Sequence, residues 1–268
     1  MTKGARTALI TGASSGIGEE FARQLAAAGW NLALCARRLD RLESLAETLS
    51  TAHGIRAEAF ACDLADSDAP TRLLQELDER ELHVDLLINN AGYGLPGNFV
   101  ASDWDTHRQF LQLMLSAPTE LVHRLLPAMR QRNYGRIINV ASLAGLVPST
   151  AGHTLYSAVK SFLIKFSQSV ALENRDRDIH VCALCPGFTY SEFHDANGTR
   201  PMVSKMPKFM WMDAQTVVRQ GIAAVESGQV IYVNGWWNRL VYGLVKRLPD
   251  TWALKLVDRR SKTFRRRD

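Results

Sequence analysis

The sequence predicts an α/β domain, a doubly wound parallel sheet of seven strands with helices on both faces. Three observations carry that expectation. Short β-rich apolar runs alternate with longer segments of helical period, the pattern of βα units. The first run ends in a glycine-rich turn, TGASSGIG. At 268 residues, 46% hydrophobic and 22% charged, the chain has the length for one large α/β domain and the composition of a soluble globular protein.

In order, the expected strands are TALIT (7–11), NLALCA (31–36), RAEAFAC (56–62), DLLIN (85–89), RIINVAS (136–142), HVCALC (180–185) and VIYVN (230–234). Helices are expected between them over 16–28, 39–52, 69–80, 103–132, 155–175 and 213–226, where apolar residues recur at three and four, as in Leu42, Leu45, Ala46 and Leu49. Two regions break the alternation: a connection over 188–212 rich in Met, Phe and Trp, and an extension over 235–268. Long connections in compact domains are usually functional. With no repeat, low-complexity tract or linker, the chain reads as a single domain. Residues 1–234, with the 188–212 loop, form its main body, and 235–268 a basic amphipathic extension.

The start shows no signal-peptide pattern and no apolar run reaches the roughly 20 residues of a membrane span, so a cytoplasmic protein is expected. Cys35, Cys62, Cys182 and Cys185 sit in apolar segments and are expected buried and reduced; no metal site is expected. The net charge of +5 is uneven. Residues 239–268 carry ten Lys or Arg against three acids, a local +7, which leaves −2 on residues 1–238. Basicity belongs to the tail, so it gives no argument for nucleic acid.

Gly12, Gly16 and Gly18 follow the first strand and open the first helix. Glycine there permits a tight turn and close approach of a diphosphate, which backbone N–H groups and the helix dipole attract. A merely structural loop is the alternative. At the end of the second strand a carboxylate would mark NAD, but the chain reads Ala36, Arg37, Arg38. Guanidinium pairs suit a 2′-phosphate, so NADP is the expected cofactor. The competing explanation is a solvated pair in a segment that Arg41 shows to be basic anyway. Further on, Tyr156 and Lys160 stand one helical turn apart among small neighbours, so their polar tips can converge.

With TGASSGIG, NNAG at 89–92, Ser142 after a strand, Tyr156-x-x-x-Lys160, and Pro186–Gly187, the chain resembles the short-chain dehydrogenase/reductase family over about residues 5–234. PGFTYSEFH and the extended end are similar to its DltE-type branch. The resemblance implies a Rossmann fold and a homo-oligomer acting on a small carbonyl or alcohol substrate. It makes Tyr156 the catalytic acid/base, has Lys160 bind the nicotinamide ribose and lower the tyrosine pKa, and has Ser142 hydrogen-bond the substrate oxygen. The cofactor-binding set it implies is Gly12, Ser14, Ser15, Gly16, Ile17, Gly18, Arg37, Arg38, Asp63, Leu64, Asn90, Ala91, Gly92, Tyr156, Lys160, Pro186, Gly187 and Thr189.

The chemistry agrees. Hydride reduction of a carbonyl creates an alkoxide that needs a proton, and a free phenol near pKa 10 needs a nearby positive charge to exchange one easily. Two departures stand out. Met114 occupies the place of a common family asparagine, leaving a backbone carbonyl, a slower proton relay or Ser116 as substitutes. The Ser142–Tyr156 interval is also one residue longer than the commonest spacing.

Phe188, Phe193, Met202, Met206, Phe209, Met210 and Trp211 are expected to line an apolar pocket for a lipophilic ketone, aldehyde or secondary alcohol, or else to form core or a subunit contact. His153 and His194 lie within reach of a substrate or simply at the surface. In the extension, Leu240, Val241, Leu244, Val245 and Leu248 recur at helical spacing with Lys246 and Arg247 off the stripe, and Pro249 starts a second short helix. Peripheral membrane contact, an acidic partner, another subunit and a cover for the cleft are the options for 239–268. A catalytically weak NADP(H)-binding sensor or scaffold is the rival to an enzyme.

Overall fold

Apolar runs without a polar side have no face to offer to water, and in the computed structural model they become an interior sheet. Residues 5–192, 206–249 and 251–255 are described. Among them the strands are β1 (Thr7–Thr11), β2 (Asn31–Ala36), β3 (Ala57–Ala61), β4 (Val84–Asn89), β5 (Gly135–Val140), β6 (Ile179–Cys185), β7 (Phe188–Tyr190), β8 (Trp211–Asp213) and β9 (Ile231–Val233). Seven form one sheet in the order β3-β2-β1-β4-β5-β6-β9, every neighbouring pair parallel, while β7 and β8 pair separately.

Side-chain alternation along each strand divides the core into two layers. Ala8 and Ile10 of β1 face one way, with Leu34, Ile138 and Leu184, against Phe21, Leu25, Leu42 and Val218. These come from α1 (Gly16–Ala27), α2 (Leu39–His53) and, much later in the chain, α7 (Ala214–Glu226). Leu9 faces the other way, with Leu87, Ile137 and Val181, against Leu73, Leu77, Leu121 and Val170. That layer is supplied by α3 (Ala69–Glu79), α5 (Ala117–Arg132) and α6 (Thr154–Glu173). The Rossmann-type doubly wound sheet expected from the sequence is the observed one. Its strand order reverses between β1 and β4, which opens a crevice above their carboxyl ends.

Three segments depart from the sequence expectation. The single helix expected over 103–132 is α4 (Trp104–Leu111), a π turn over Gln112–Ser116, and α5. Pro118 has no N–H to give the carbonyl of Met114 four residues earlier, and the Ala117 amide reaches back five residues to Gln112. The expected strand over 136–142 stops at Val140, because Ser142 turns the chain by accepting the Ala144 N–H at 3.1 Å. Within 188–212, the described ends form the β7–β8 pair, whose far end leads into α7 through an Asp213 cap on Thr216. Beyond β9 lie α8 (Trp236–Val245) and, after Pro249, helical residues 251–255. No helix among the described residues is long and apolar enough to cross a membrane.

Candidate active site

The crevice is built on a stitch between the ends of β1 and β4. The Thr11 hydroxyl donates to the Ile88 carbonyl at 3.2 Å and accepts the N–H groups of Asn90 and Ala91, each at 3.0 Å. Asn90 returns the contact, its amide donating to the carbonyls of Thr11 (3.0 Å) and Gly12 (3.2 Å). A side chain on Gly18 would collide with the Gly12 carbonyl oxygen and the Asn90 amide, so only glycine lets α1 start this close to the strand. Ser15, at the N-cap, gives α1 no side-chain cap.

Arg38 donates to the hydroxyls of Ser14 (3.0 Å) and Ser15 (3.1 Å), which ties the end of β2 to the glycine turn. An anion already sits on this basic corner. The carboxylate of Glu192, just past β7, takes ion pairs from Arg41 at 3.0 Å and Arg38 at 3.3 Å. Those hydrogen bonds, Arg41's foremost, hold its pKa below the usual carboxylate range. Arg38 and Arg41 thus present guanidinium groups to one negative group beside the helix N-terminus, an arrangement able to hold a phosphate. Arg37, expected alongside Arg38, is exposed. Neither Arg41 nor Glu192 was singled out from the sequence as a binding residue. At the neighbouring edge Asp63 is exposed and accepts the Ala65 N–H at 3.0 Å, while Leu64 is buried under it.

On the other side of the crevice α6 brings Tyr156 and Lys160 against the turn that carries Ser142. A Cβ on Gly145 would stand 2.6 Å from the Lys160 backbone, so this glycine lets the turn lie flat on the helix. The Leu143 N–H bonds the Pro186 carbonyl at 2.9 Å, and the Ser161 hydroxyl bonds that of Gly145 at 2.8 Å. The Ser142 hydroxyl, which donates to the Pro186 carbonyl at 3.5 Å, neighbours the Tyr156 phenol, and Lys160 Nζ lies 5.6 Å from the Tyr156 ring centre.

Burial pushes the phenol up to about 12, with Ser142 pulling it down. Lys160 is more deeply buried, and its ammonium is pushed down to about 8. The sequence expectation that Lys160 lowers the tyrosine is not met in this state. The ammonium donates to the Val140 carbonyl at 2.7 Å, and desolvation dominates the phenol.

A family model described as short chain dehydrogenase matches residues 6–201. The chain belongs to that family. Nodulation protein G of Rhizobium sp. (strain N33) is 37% identical over 235 residues, 86% of this chain and 93% of that protein. A short-chain dehydrogenase from Sphingobium yanoikuyae, solved in complex with NADPH, has a TM-score of 0.80 at 30% identity, covering 91% of this chain and 96% of that one. The bulky-bulky ketone specific alcohol dehydrogenase from Comamonas testosteroni has a TM-score of 0.75 at 29% identity, covering 91% and 95%.

Against that family background, Met114 is buried in the π turn with its sulfur where a side chain on Gly92 would stand. It borders a cavity of about 10 Å³ shared with Lys160, Asn89 and Val140, at the lower limit for one water. Asn89 donates to Asn139 (2.9 Å) and Pro118 (3.3 Å), while its buried carbonyl oxygen has no protein partner. Polar character beside the lysine therefore comes from β4 rather than from the side chain at 114.

On the substrate side, Phe188 and Tyr190 pack on Trp211 at 5.4 and 4.8 Å between ring centres, and Phe209 meets Trp237 edge-on at 5.0 Å. Phe193, Met202 and His194 lie outside the described residues. His153 is partly buried at the start of α6, burial lowering its pKa, with Nδ1 2.9 Å from the Gly152 carbonyl. Thr189 is buried and donates to the Gly187 carbonyl at 3.2 Å.

Lys160 carries a stability signature. Its folded pKa of about 8 lies below the ordinary 10.5, so between these values the unfolded chain holds the extra proton. Stability from this group is present above pH 10.5 and lost as pH falls through 8, leaving a penalty on the order of 3 kcal/mol at neutrality. Lys160→Met is expected to stabilise the cofactor-free protein at pH 7 by about 1–2 kcal/mol after loss of the Val140 hydrogen bond. Urea denaturation at pH 7 and 9 checks this. The advantage should shrink by about 1 kcal/mol at the higher pH, and a variant less stable than wild type at pH 7 contradicts it.

Proposed function

We propose that the protein is an NADP(H)-dependent oxidoreductase acting on a lipophilic ketone, aldehyde or secondary alcohol, with Tyr156 as acid/base. The observation that carries this is Tyr156 standing beside Ser142 and 5.6 Å from the ammonium of buried Lys160 at the crevice. Gly12, Gly16, Gly18 and the start of α1 would hold the diphosphate, and Arg38 and Arg41 the 2′-phosphate. Asp63 and Leu64 would flank the adenine, with Asn90, Ala91 and Gly92 along the cleft and Pro186, Gly187 and Thr189 beside the nicotinamide. NADP is supported by the two arginines on one anion and by the NADPH complex of the Sphingobium relative. The apolar rings around Trp211 and the bulky ketones named for the Comamonas enzyme support a lipophilic substrate. A homo-oligomer in the cytoplasm, without nucleic acid, completes the proposal.

When bound, the dinucleotide supplies or accepts the hydride. The chain does the rest. Ser142 donates a hydrogen bond to the substrate oxygen and steadies it as charge develops. Tyr156 gives that oxygen its proton in reduction and takes it back in oxidation. Lys160 holds the ribose and, once its ammonium turns toward the phenol, offsets the burial that keeps the phenol neutral.

Tyr156→Phe is expected to keep NADPH affinity within about twofold while turnover falls by roughly 10²–10⁴. Fluorescence titration with NADPH and a panel of carbonyl compounds measures both. NADPH binding without oxidation across the panel favours the rival, a cofactor-binding sensor or scaffold, for which Met114 is the motive. Because the 2′-phosphate competes with Glu192 for Arg38 and Arg41, Glu192→Gln should tighten NADPH severalfold, roughly 3- to 10-fold, and leave NADH unchanged. Equal effects on both dinucleotides contradict that competition.

A further inference from the structure

The last helix presents an apolar ridge that the fold does not use. On its inner side α8 is held by buried Asn238, whose amide donates to the Asn234 carbonyl at 2.7 Å, and by half-buried Trp237, Val241 and Tyr242. On its outer side Trp236, Leu240 and Leu244 are 68, 46 and 57% exposed, and Leu248 just beyond is 37% exposed. A spacing of four sets the helical members of this series side by side as one ridge. After Pro249, Trp252 (66%) and Leu254 (53%) extend the exposed apolar series while Ala253 is buried beneath them. A helix apolar on its protein side and again on its outer side has a second apolar environment to meet.

Charge identifies that environment. Arg239 donates to the Val233 carbonyl and the Tyr232 hydroxyl, and Lys246, over the Tyr242 ring, Arg247, bonded back to the Gly243 carbonyl, and Lys255 are exposed beside the ridge. In sequence, 239–268 carries a net +7. A second copy of the same segment would bring an equal positive charge against it. An anionic lipid surface offers both an apolar layer for the ridge and negative headgroups for its flanks, and tryptophan favours that interface.

We propose that α8 and the short helix after it form a peripheral anchor, laying Trp236, Leu240, Leu244, Leu248 and Trp252 into an anionic bilayer surface. The anchor rests along the membrane plane. It also stands beside the candidate cleft, since Phe209 packs on Trp237 and Asn238 covers Gly187. A lipophilic substrate would then enter from the lipid, a consequence that rests on the function proposed above, whereas the anchoring itself does not.

The test is co-sedimentation of the full chain with vesicles of phosphatidylcholine alone or mixed with phosphatidylglycerol, without cofactor or substrate. Binding to the mixed vesicles is expected, at least about tenfold weaker on phosphatidylcholine. The exposed-site variant Leu240→Ser/Leu244→Ser/Trp252→Ser should lose roughly tenfold or more of that binding while keeping its thermal midpoint and NADPH affinity. Failure of wild type to sediment with anionic vesicles overturns the proposal. So does sedimentation that the triple variant retains, which would mean charge alone carries it. A dimer in solution that the triple variant converts to monomer would assign the ridge to contact between copies and overturn it as well. A protein that binds vesicles but neither NADPH nor NADH keeps the anchor and removes the enzyme.

Discussion

The whole site depends on one joint, where the carboxyl ends of β1 and β4 are pinned together by Thr11 and Asn90. Parallel strands that leave for opposite layers would otherwise splay at this point. A threonine hydroxyl and an asparagine amide close the gap with five hydrogen bonds, and the glycine turn rides on the closed end. Close packing of Gly18 on the Gly12 carbonyl then fixes where α1 begins, and hence where an anion is attracted. The crevice is a product of strand order, but its shape is a product of this joint.

On the far side of the crevice the molecule tolerates unfavourable electrostatics. An ammonium is withdrawn from water and a half-buried phenol stands beside it, each pushed toward its neutral form. Nearby, a buried polar chain runs from Pro118 through Asn89 and Asn139 to Ser167 and the Leu163 carbonyl. That chain locks β4, β5 and α6 together beneath the reacting groups, so α6 stays in register despite its buried charge. Groups in such poor environments are the ones whose protonation is most readily changed by a ligand.

Much of this was legible in the sequence. Uniformly apolar runs mark strands covered on both faces, and the motifs fall on the glycine turn between β1 and α1, on Ser142 just after β5, and on Tyr156 and Lys160 in α6. Other features were illegible for definite reasons. The break at Gln112–Ser116 hides because one extra residue in a long helical pattern barely disturbs its period, although Pro118 was the available signal. The choice between Arg37, Arg38 and Arg41 turns on which way each side chain leaves the start of α2, which spacing alone does not reveal. Glu192 meets these arginines across some 150 positions of chain, and its segment reads only as a loop. The direction of the Lys160 ammonium also escaped, since a spacing of four says two side chains share a face and nothing about which carbonyl competes for the proton donor.

The contact of Asn238 with Gly187 has a practical meaning for engineering. Atoms of that amide stand about 2.5 Å from where a methyl on the glycine would be, so the carboxyl-terminal helix and the turn after β6 behave as a single mechanical piece. Chimeras between relatives that exchange the turn alone would seat it under a foreign helix. A crossover placed before β6 instead would carry the turn, the helix and their shared seam across together.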